Sequence, residues 1–176
     1  MIRRTPPALA AVAALAVAAP ALAAPKANTI EAQGTSKVKI NEYIQDGQKF
    51  VPGDITVKSG ATITLRNKSK DGAPHSLSLL KKSALPRTAA QVMQCAACGP
   101  LLAAHQADPT TGEVKQPLVD AGRPGFDTEG TKTTAGDSIF LPPKGKVTFK
   151  VTAKKGSKLS YFCAVHPWMQ GTITVK

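Results

Sequence analysis

Three side chains that can bind a metal recur at a spacing of three near the end of this 176-residue chain: Cys163, His166 and Met169. A thiolate, an imidazole and a thioether at this spacing can meet on one loop. A Cys sulfur and two imidazoles in a trigonal set, with a weak axial Met, select copper for electron transfer. The chain has only three histidines, and His75 is the natural second imidazole. We therefore predict a copper site at His75, Cys163, His166 and Met169.

The residues around these ligands predict two strands joined by a tight loop. Apolar and polar residues alternate from Leu159 to Cys163 and again from Thr172 to Val175, as in half-buried strands. Pro167 and Gly171 mark the segment between them as a turn. An isolated Cys is often an inert buried residue, and isolated His and Met residues are usually structural. The flanking strands favour metal ligation, because a short loop between strands is rigid.

Short alternating segments separated by turn residues fill much of the remaining chain. They are Val38–Ile40, which begins the first predicted strand, Tyr43–Phe50, Ile55–Val57, Ala61–Leu65, Ser76–Leu80, Ser138–Leu141 and Val147–Val151. The Ser59-Gly60 turn predicts that Ile55–Val57 and Ala61–Leu65 form a hairpin-like pair. Turn signals at regular spacing are typical of a Greek-key β-sandwich. We therefore expect an all-β fold.

These motifs resemble those of the cupredoxins, the small blue copper proteins. The ligand spacing is similar to that of amicyanin and of plastocyanin-like members. Residues 50–67, followed by His75, resemble the strand-turn-strand segment before the first copper histidine. The resemblance covers about residues 36–80 and 136–176. It implies one type 1 copper per chain, electron transfer between redox proteins, and no enzymatic activity.

The resemblance also implies roles for residues beside the ligands. Ser76 takes a position that is Asn in many cupredoxins. Backbone N–H groups near Ser76 and in the 164–169 loop are expected to hydrogen-bond the Cys163 sulfur and tune the potential. Electrons are expected to leave through the His166 edge, in an apolar patch of Pro74, Pro167 and Trp168. Packing beneath the loop is the alternative for Trp168.

A long segment separates His75 from Cys163. Amicyanin-like and plastocyanin-like proteins have fewer residues there, and the additional ones lie at about 81–135. Ala89–Cys95 predicts a short helix, and a Gly/Pro/Thr-rich stretch leads to Gly136. The segment has few apolar residues. We therefore expect an insertion, part helix and part loop, over one side of a single domain spanning residues 24–176.

Cys95 and Cys98 within this insertion have several explanations. In an exported protein, a local disulfide is favoured, which leaves Cys163 free. The alternatives are two free thiols, a thioredoxin-like pair, which lacks its βαβ context here, and a second metal site with His105. That metal site shows three ligands, whereas structural zinc normally has four. The dinuclear copper centre of cytochrome oxidase subunit II requires two cysteines in the C-terminal loop, which has only Cys163.

The N-terminal residues predict export. Residues 1–23 combine Arg3 and Arg4 with an Ala/Val/Leu stretch that ends in Ala21-Leu22-Ala23, the small-x-small pattern of a signal-peptidase site. An uncleaved anchor is disfavoured because the apolar stretch is short and contains Pro20. We therefore expect a cleaved signal peptide, a periplasmic or extracellular protein, and no transmembrane segment after cleavage.

The formal net charge is +12, and removal of Arg3 and Arg4 leaves +10. A basic helix and an aromatic stacking ladder are missing from the sequence, which argues against nucleic acid. Scattered lysines fit a monomer that meets redox partners, such as a cytochrome, an oxidase or a dehydrogenase, through their acidic surfaces. The alternative function is a copper carrier or scavenger of the cell envelope. Only three Met and three His are present, which disfavours that alternative and also the multicopper enzymes.

Overall fold

The computed structural model describes residues 28–176, so the predicted signal peptide lies outside the described residues. The strands are β1 (Thr29–Gln33), β2 (Ser36–Lys39), β3 (Tyr43–Asp46), β4 (Lys49–Val51), β5 (Asp54–Val57), β6 (Thr62–Asn67), β7 (His75–Leu79), β8 (Leu118–Val119), β9 (Ser138–Leu141), β10 (Lys146–Lys150), β11 (Lys158–Phe162) and β12 (Gln170–Val175). The helices are α1 (Ala89–Met93) and α2 (Cys98–Ala104), preceded by a 3₁₀ turn at Lys82–Ala84.

Two sheets enclose the main core. One has the strand order β4-β1-β6-β10, and the other has the order β5-β12-β11-β7-β9-β8. Apolar residues of both sheets, among them Ile30, Ile63, Leu77 and Ile173, are fully buried between them. The expected all-β Greek-key sandwich is confirmed. Within residues 28–176, no helix is long and apolar enough to cross a membrane.

Two expectations about the strands are wrong. The first strand is β1, which precedes Val38 and contributes the buried residues Ile30 and Ala32. The predicted hairpin-like pair of Ile55–Val57 with Ala61–Leu65 does not form: β5 pairs with β12, whereas β6 pairs with β1 and β10. Alternation of apolar and polar residues shows that each strand buries one face. It does not show which strands pair, because two strands in opposite sheets have the same pattern as two neighbours in one sheet.

The insertion forms a second, smaller core against the ligand-bearing sheet. Leu101 of α2 packs with Ala97, Leu80 and Phe162. Phe162 is the last residue of β11, directly before Cys163. Cys95 and Cys98 are joined by a disulfide in this core. The prediction of a partly helical insertion over one side of the sandwich, stapled by this disulfide, is confirmed.

Asp137 holds the loop that returns from the insertion to β9. Its carboxylate accepts backbone N–H bonds from Ala121, Asp127 and Thr128, at 2.7 to 2.8 Å. Burial raises the pKa of Asp137, and these three hydrogen bonds oppose that rise by stabilising the ionised form. One carboxylate therefore satisfies three donors that the irregular backbone would otherwise leave unpaired.

The β2–β3 hairpin forms a separate two-stranded sheet. Val38 lies opposite Ile44, and these two residues are 67% and 78% exposed. Ser36 lies opposite Asp46 at the base of the hairpin, where the Ser36 hydroxyl donates to the carboxylate at 2.8 Å. Side chains of a strand alternate between faces, so all four residues share one face. The hairpin thus presents an apolar face to solvent.

Candidate metal centre

Two neighbouring strands deliver the ligands to one end of the sandwich. His75 is the first residue of β7, and Cys163 directly follows β11, which pairs with β7. Residues 163–169 form the loop between β11 and β12. Cys163 N–H donates to the Met169 carbonyl at 3.0 Å, and Met169 N–H donates to the His166 carbonyl at 2.8 Å. These bonds close the loop tightly, as Pro167 within it predicts. Gly171, the other residue from which a turn was predicted, lies in β12.

One thiol and two imidazoles converge in this loop. Cys163 Sγ lies 3.8 Å from His75 Nδ1 and 3.8 Å from His166 Nδ1. The three ligand atoms all lie within 4.8 Å of one another, and all three residues are buried. Residues 88 positions apart in the chain, His75 and Cys163, therefore meet at a single point.

The spacing of these atoms fits a bound metal ion. With metal–nitrogen distances of ~2.0 Å and a metal–sulfur distance of ~2.3 Å, a trigonal ion separates nitrogen from sulfur by ~3.7 Å. The observed separations of 3.8 Å match this value. A thiolate with two imidazoles suits copper, and the group is positioned to bind a copper ion. Met169 is buried in the same loop, and its axial role stays a prediction.

Ser69 and Gln48 orient the first imidazole, and the sequence analysis did not identify them. The Ser69 hydroxyl donates to Gln48 Oε1 at 2.7 Å, and Ser69 Oγ also lies 2.6 Å from His75 Nε2. The hydroxyl has only one proton, so His75 Nε2 must be the donor to Ser69. Nδ1 of His75 is then unprotonated and free to bind a metal. Such support of a ligand histidine through its second nitrogen is usual in metal sites.

Both ligand imidazoles are neutral at neutral pH in the absence of metal. Burial, assisted by the nearby His166, lowers the pKa of His75 to about 4, against the opposing effect of Asp71 and Asp46. Burial also lowers the pKa of His166, which the same two carboxylates oppose. A metal can therefore bind without first displacing protons from these rings.

The Cys163 sulfur is surrounded by backbone donors. Ser76 N–H donates to Sγ at 3.2 Å. Burial raises the pKa of the thiol, and the N–H groups of Ser76, His166 and Val165 oppose that rise by stabilising the thiolate. These are the two regions, around Ser76 and within the 164–169 loop, from which the sequence predicts donors to the sulfur.

The outer side of His166 is more enclosed than expected. His166 is 9% exposed, and Asp46, at the base of the β2–β3 hairpin, places Oδ2 3.9 Å from its Nε2. Of the three residues predicted to form an apolar patch, Trp168 is exposed, Pro74 is half-buried and Pro167 is buried. The Trp168 ring lies edge-on to the His166 ring, with centroids 5.3 Å apart.

The insertion contacts the ligand loop without supplying a ligand atom to the three-residue group. Gln170 Nε2 donates to the carbonyls of Pro86, at 2.7 Å, and Pro167, at 3.0 Å. The disulfide removes Cys95 and Cys98 as thiolate ligands, which excludes two free thiols and a second metal site with His105 in this state. Cys163 is the free cysteine of the described residues.

Comparison with known proteins agrees with this geometry. Residues 36–176 match the model of the family described as copper binding proteins, plastocyanin/azurin family. No curated protein is detectably similar to the chain by sequence.

Solved cupredoxins resemble the chain in structure at low sequence identity. A purple cupredoxin from Nitrosopumilus maritimus is 15% identical, with a TM-score of 0.42 over 84% of this chain and 98% of the other. Reduced auracyanin from Roseiflexus castenholzii is 18% identical, with a TM-score of 0.42 over 85% and 98%. Amicyanin from Paracoccus versutus is 14% identical, with a TM-score of 0.39 over 86% and 83%. The family match covers most of the chain, and the chain therefore belongs to the copper-binding plastocyanin/azurin family.

Proposed function

We propose that this protein is an exported type 1 blue copper protein that shuttles single electrons between redox proteins and is not an enzyme. The observation that carries the proposal is the buried triangle of Cys163 Sγ and the Nδ1 atoms of His75 and His166. Copper held there by Cys163, His75 and His166 would supply a Cu(I)/Cu(II) couple, and Met169 would serve as the weak axial ligand.

The enclosure of the ligands supports electron transfer and disfavours substrate chemistry. His75 and Cys163 are 0% exposed, and His166 is nearly covered. Neither a substrate nor bulk water has room to approach these atoms directly. The loop bonds at Cys163 and Met169 resist movement of the ligands, so little rearrangement accompanies each electron. A metal ion held this way exchanges electrons through the protein atoms around it, without direct contact with the partner.

We propose that electrons pass through the His166 edge. Trp168 contacts this ring and is 41% exposed, so it extends an apolar path to the surface. Pro167 is buried, and Pro74, directly before His75, is half-buried. Asp46 joins this region to the exposed face of the β2–β3 hairpin.

The partner that fits this surface is a redox protein with an apolar patch bordered by carboxylates. Val38 and Ile44 supply the apolar half of the contact. Lys68 and Lys70 belong to a loop whose backbone N–H groups bond Ala32 and Gly34, directly before the hairpin. A lysine-rich border attracts acidic partners and speeds their encounter. A cytochrome, an oxidase or a dehydrogenase of the periplasm or cell exterior would meet a monomer of this protein.

The visible absorption spectrum tests the copper assignment. Copper-loaded protein should bind one ion per chain and show an intense thiolate-to-copper band that a reductant bleaches. Cys163→Ser should abolish the band, whereas the matched control Cys95→Ser/Cys98→Ser should keep it, because the disulfide lies outside the ligand group. A protein that binds only Cu(I) and never colours would support the copper carrier or scavenger instead.

Export is tested separately. Expression of the full chain in a bacterium with a periplasm should yield a secreted form whose first residue, by mass spectrometry, is residue 24. Cleavage elsewhere would move the domain boundary, and retention of the intact chain in the membrane would contradict a cleaved signal peptide.

A further inference from the structure

A continuous row of buried hydroxyl groups connects the metal centre to the insertion. Ser76 Oγ lies 3.0 Å from Ser78 Oγ, which lies 2.6 Å from Ser138 Oγ. Ser138 Oγ lies 2.7 Å from His105 Nε2. All four residues are 0% exposed. We call these four residues the hydroxyl chain.

Strand register and the insertion together build the hydroxyl chain. Ser76 and Ser78 occupy alternate positions of β7, while Leu77 and Leu79 on the opposite face pack into the main core. Ser78 lies directly opposite Ser138 of β9. His105, at the end of α2, covers this polar row. The serines face the insertion, which therefore keeps them from water.

The direction of every hydrogen bond in the chain follows from counting protons. His105 Nδ1 lies 2.6 Å from the Gln116 carbonyl oxygen, which can only accept, so Nδ1 carries the proton. Burial lowers the pKa of His105, so the ring is neutral and Nε2 is an acceptor. Ser138 must then donate its one proton to Nε2.

The remaining hydroxyls have no freedom of direction. The Ser138 proton is used on His105, so Ser78 donates to Ser138. The Ser78 proton is then used as well, so Ser76 donates to Ser78. At the metal end, Ser76 Oγ accepts the Ala164 N–H at 2.8 Å. Each hydroxyl that donates onward becomes a stronger acceptor, which strengthens the bond to the residue after Cys163.

The Ser76 proton has a second acceptor nearby, the sulfur of Cys163. Ser76 donates its backbone N–H to Sγ at 3.2 Å, and its hydroxyl accepts the N–H of Ala164, the residue that follows Cys163, at 2.8 Å. These two bonds place the Ser76 side chain beside the Cys163 thiolate. A hydroxyl proton directed at Sγ would stabilise negative charge on sulfur. Reduction adds negative charge to the site, so such a bond would favour the reduced state.

We propose that His105 tunes the copper reduction potential from the insertion, by drawing the Ser76 hydroxyl proton along the serine row and away from the Cys163 sulfur. This inference rests on the copper site proposed above. His105 acts as a positioning residue, since it touches neither the metal ligands nor the ion. The insertion is then part of the redox site as well as a cover for the sheet.

The reduction potentials of a double-mutant cycle test this role. Ser138→Ala removes the link to His105, so Ser78 can donate back to Ser76 and the Ser76 proton turns to sulfur. The equilibrium should shift toward Cu(I) by roughly fivefold, the size of one net hydrogen bond. In a Ser76→Ala background, the same Ser138→Ala change should shift it by less than about a third of that, because no hydroxyl is left to turn. Equal shifts in both backgrounds would overturn the inference.

A matched control and a direct readout complete the experiment. Ser160→Ala removes another buried serine of the same sheet, outside the hydroxyl chain, and should leave the potential unchanged. Nitrogen-15 NMR of the copper-free protein should show His105 protonated at Nδ1 and bare at Nε2, and Ser138→Ala should shift the Nε2 signal. The opposite tautomer, or a protonated ring, would overturn the inference. A blue protein with additive shifts contradicts this inference alone, whereas a colourless protein contradicts the proposed function with it.

Discussion

The β2–β3 hairpin and the insertion differ in the solvent exposure of their apolar side chains. The hairpin leaves Val38 and Ile44 in solvent. The insertion buries Leu101 against Phe162, one residue before the ligand Cys163. Both regions flank the metal centre, through Asp46 on one side and the hydroxyl chain on the other. The insertion therefore stabilises the centre by packing against it, whereas the hairpin has an apolar face that no part of residues 28–176 covers.

The largest predicted effect is a difference in the free energy of unfolding between a variant of the insertion and a variant of the hairpin. Leu101→Ala removes a fully buried side chain from the insertion core and should lower the free energy of unfolding by about 2–5 kcal/mol. Ile44→Ala, at an exposed position of the hairpin, should change it by less than about 0.5 kcal/mol. Urea denaturation of both variants measures the difference. Similar losses at the two positions would show that the hairpin packs more closely in solution.

The disulfide should contribute the next largest effect. Closing so short a loop between Cys95 and Cys98 removes chain entropy worth about 2 kcal/mol in the loop-closure treatment. Cys95→Ala/Cys98→Ala should lower the free energy of unfolding by about this amount and leave the hairpin unchanged. Alkylation of the unreduced, copper-free protein should modify one thiol, that of Cys163. Modification of three thiols would contradict the disulfide.

A charge on the hairpin should affect partner exchange and spare the metal centre. Ile44→Asp places a carboxylate on the apolar face next to Asp46 and should slow electron transfer to an acidic redox partner about tenfold, since central interface residues contribute 1 kcal/mol or more. The visible spectrum should not change. Stopped-flow kinetics measures the rate. Met93→Asp, at an apolar position of the insertion that is 84% exposed, changes the charge by the same amount and is the matched control.

Ionic strength and the exit residues sharpen the same comparison. Added salt should slow the reaction with an acidic partner and speed it with a basic one, since screening weakens attraction and repulsion alike. Trp168→Asp should slow transfer as Ile44→Asp does. Rates indifferent to both substitutions would place the exit away from the hairpin and from Trp168.

The smallest effect concerns pH and the insertion histidine. Burial lowers the pKa of His105 in the folded, copper-free protein, while the unfolded chain binds that proton near pH ~6.5. Stability is therefore fully present above this pH and is lost as pH falls toward the lower folded pKa. His105→Gln should lose less stability between pH 7 and pH 5 than the wild type, measured by urea denaturation. Ile44→Ala should follow the wild type, and identical curves for all three would contradict a neutral buried His105.

Residue type and spacing determined much of the metal centre from the sequence alone. A thiolate and an imidazole three residues apart need only a tight loop to converge, and Pro167 directly after His166 indicates such a loop. With three histidines in the chain, the second imidazole had few sources. The disulfide was predictable for the same reason, because cysteines three residues apart are near each other in any compact fold. The axial role of Met169 and the presence of a cleaved signal peptide remain predictions.

Features that depend on contacts between residues far apart in the chain could not be predicted from the sequence. Alternation identified the strands but not their partners, so β5 and β6 were paired wrongly and β1 was missed. Ser69, Gln48 and Asp46 carry no motif, and only the packing of separate loops brings them to the two imidazoles.

The hydroxyl chain shows most clearly what tertiary structure decides. Ser76, Ser78 and Ser138 are ordinary polar residues in sequence, and His105 looked like a spare ligand. Their order arises because β7 and β9 pair in one register and α2 closes over them. Local chemistry thus determined which atoms can bind the metal, because ligand type and short spacing are properties of the chain itself. The fold decided which protons point toward these metal-binding atoms. A buried hydroxyl has a single proton and must direct it to the acceptor that the packing places nearby.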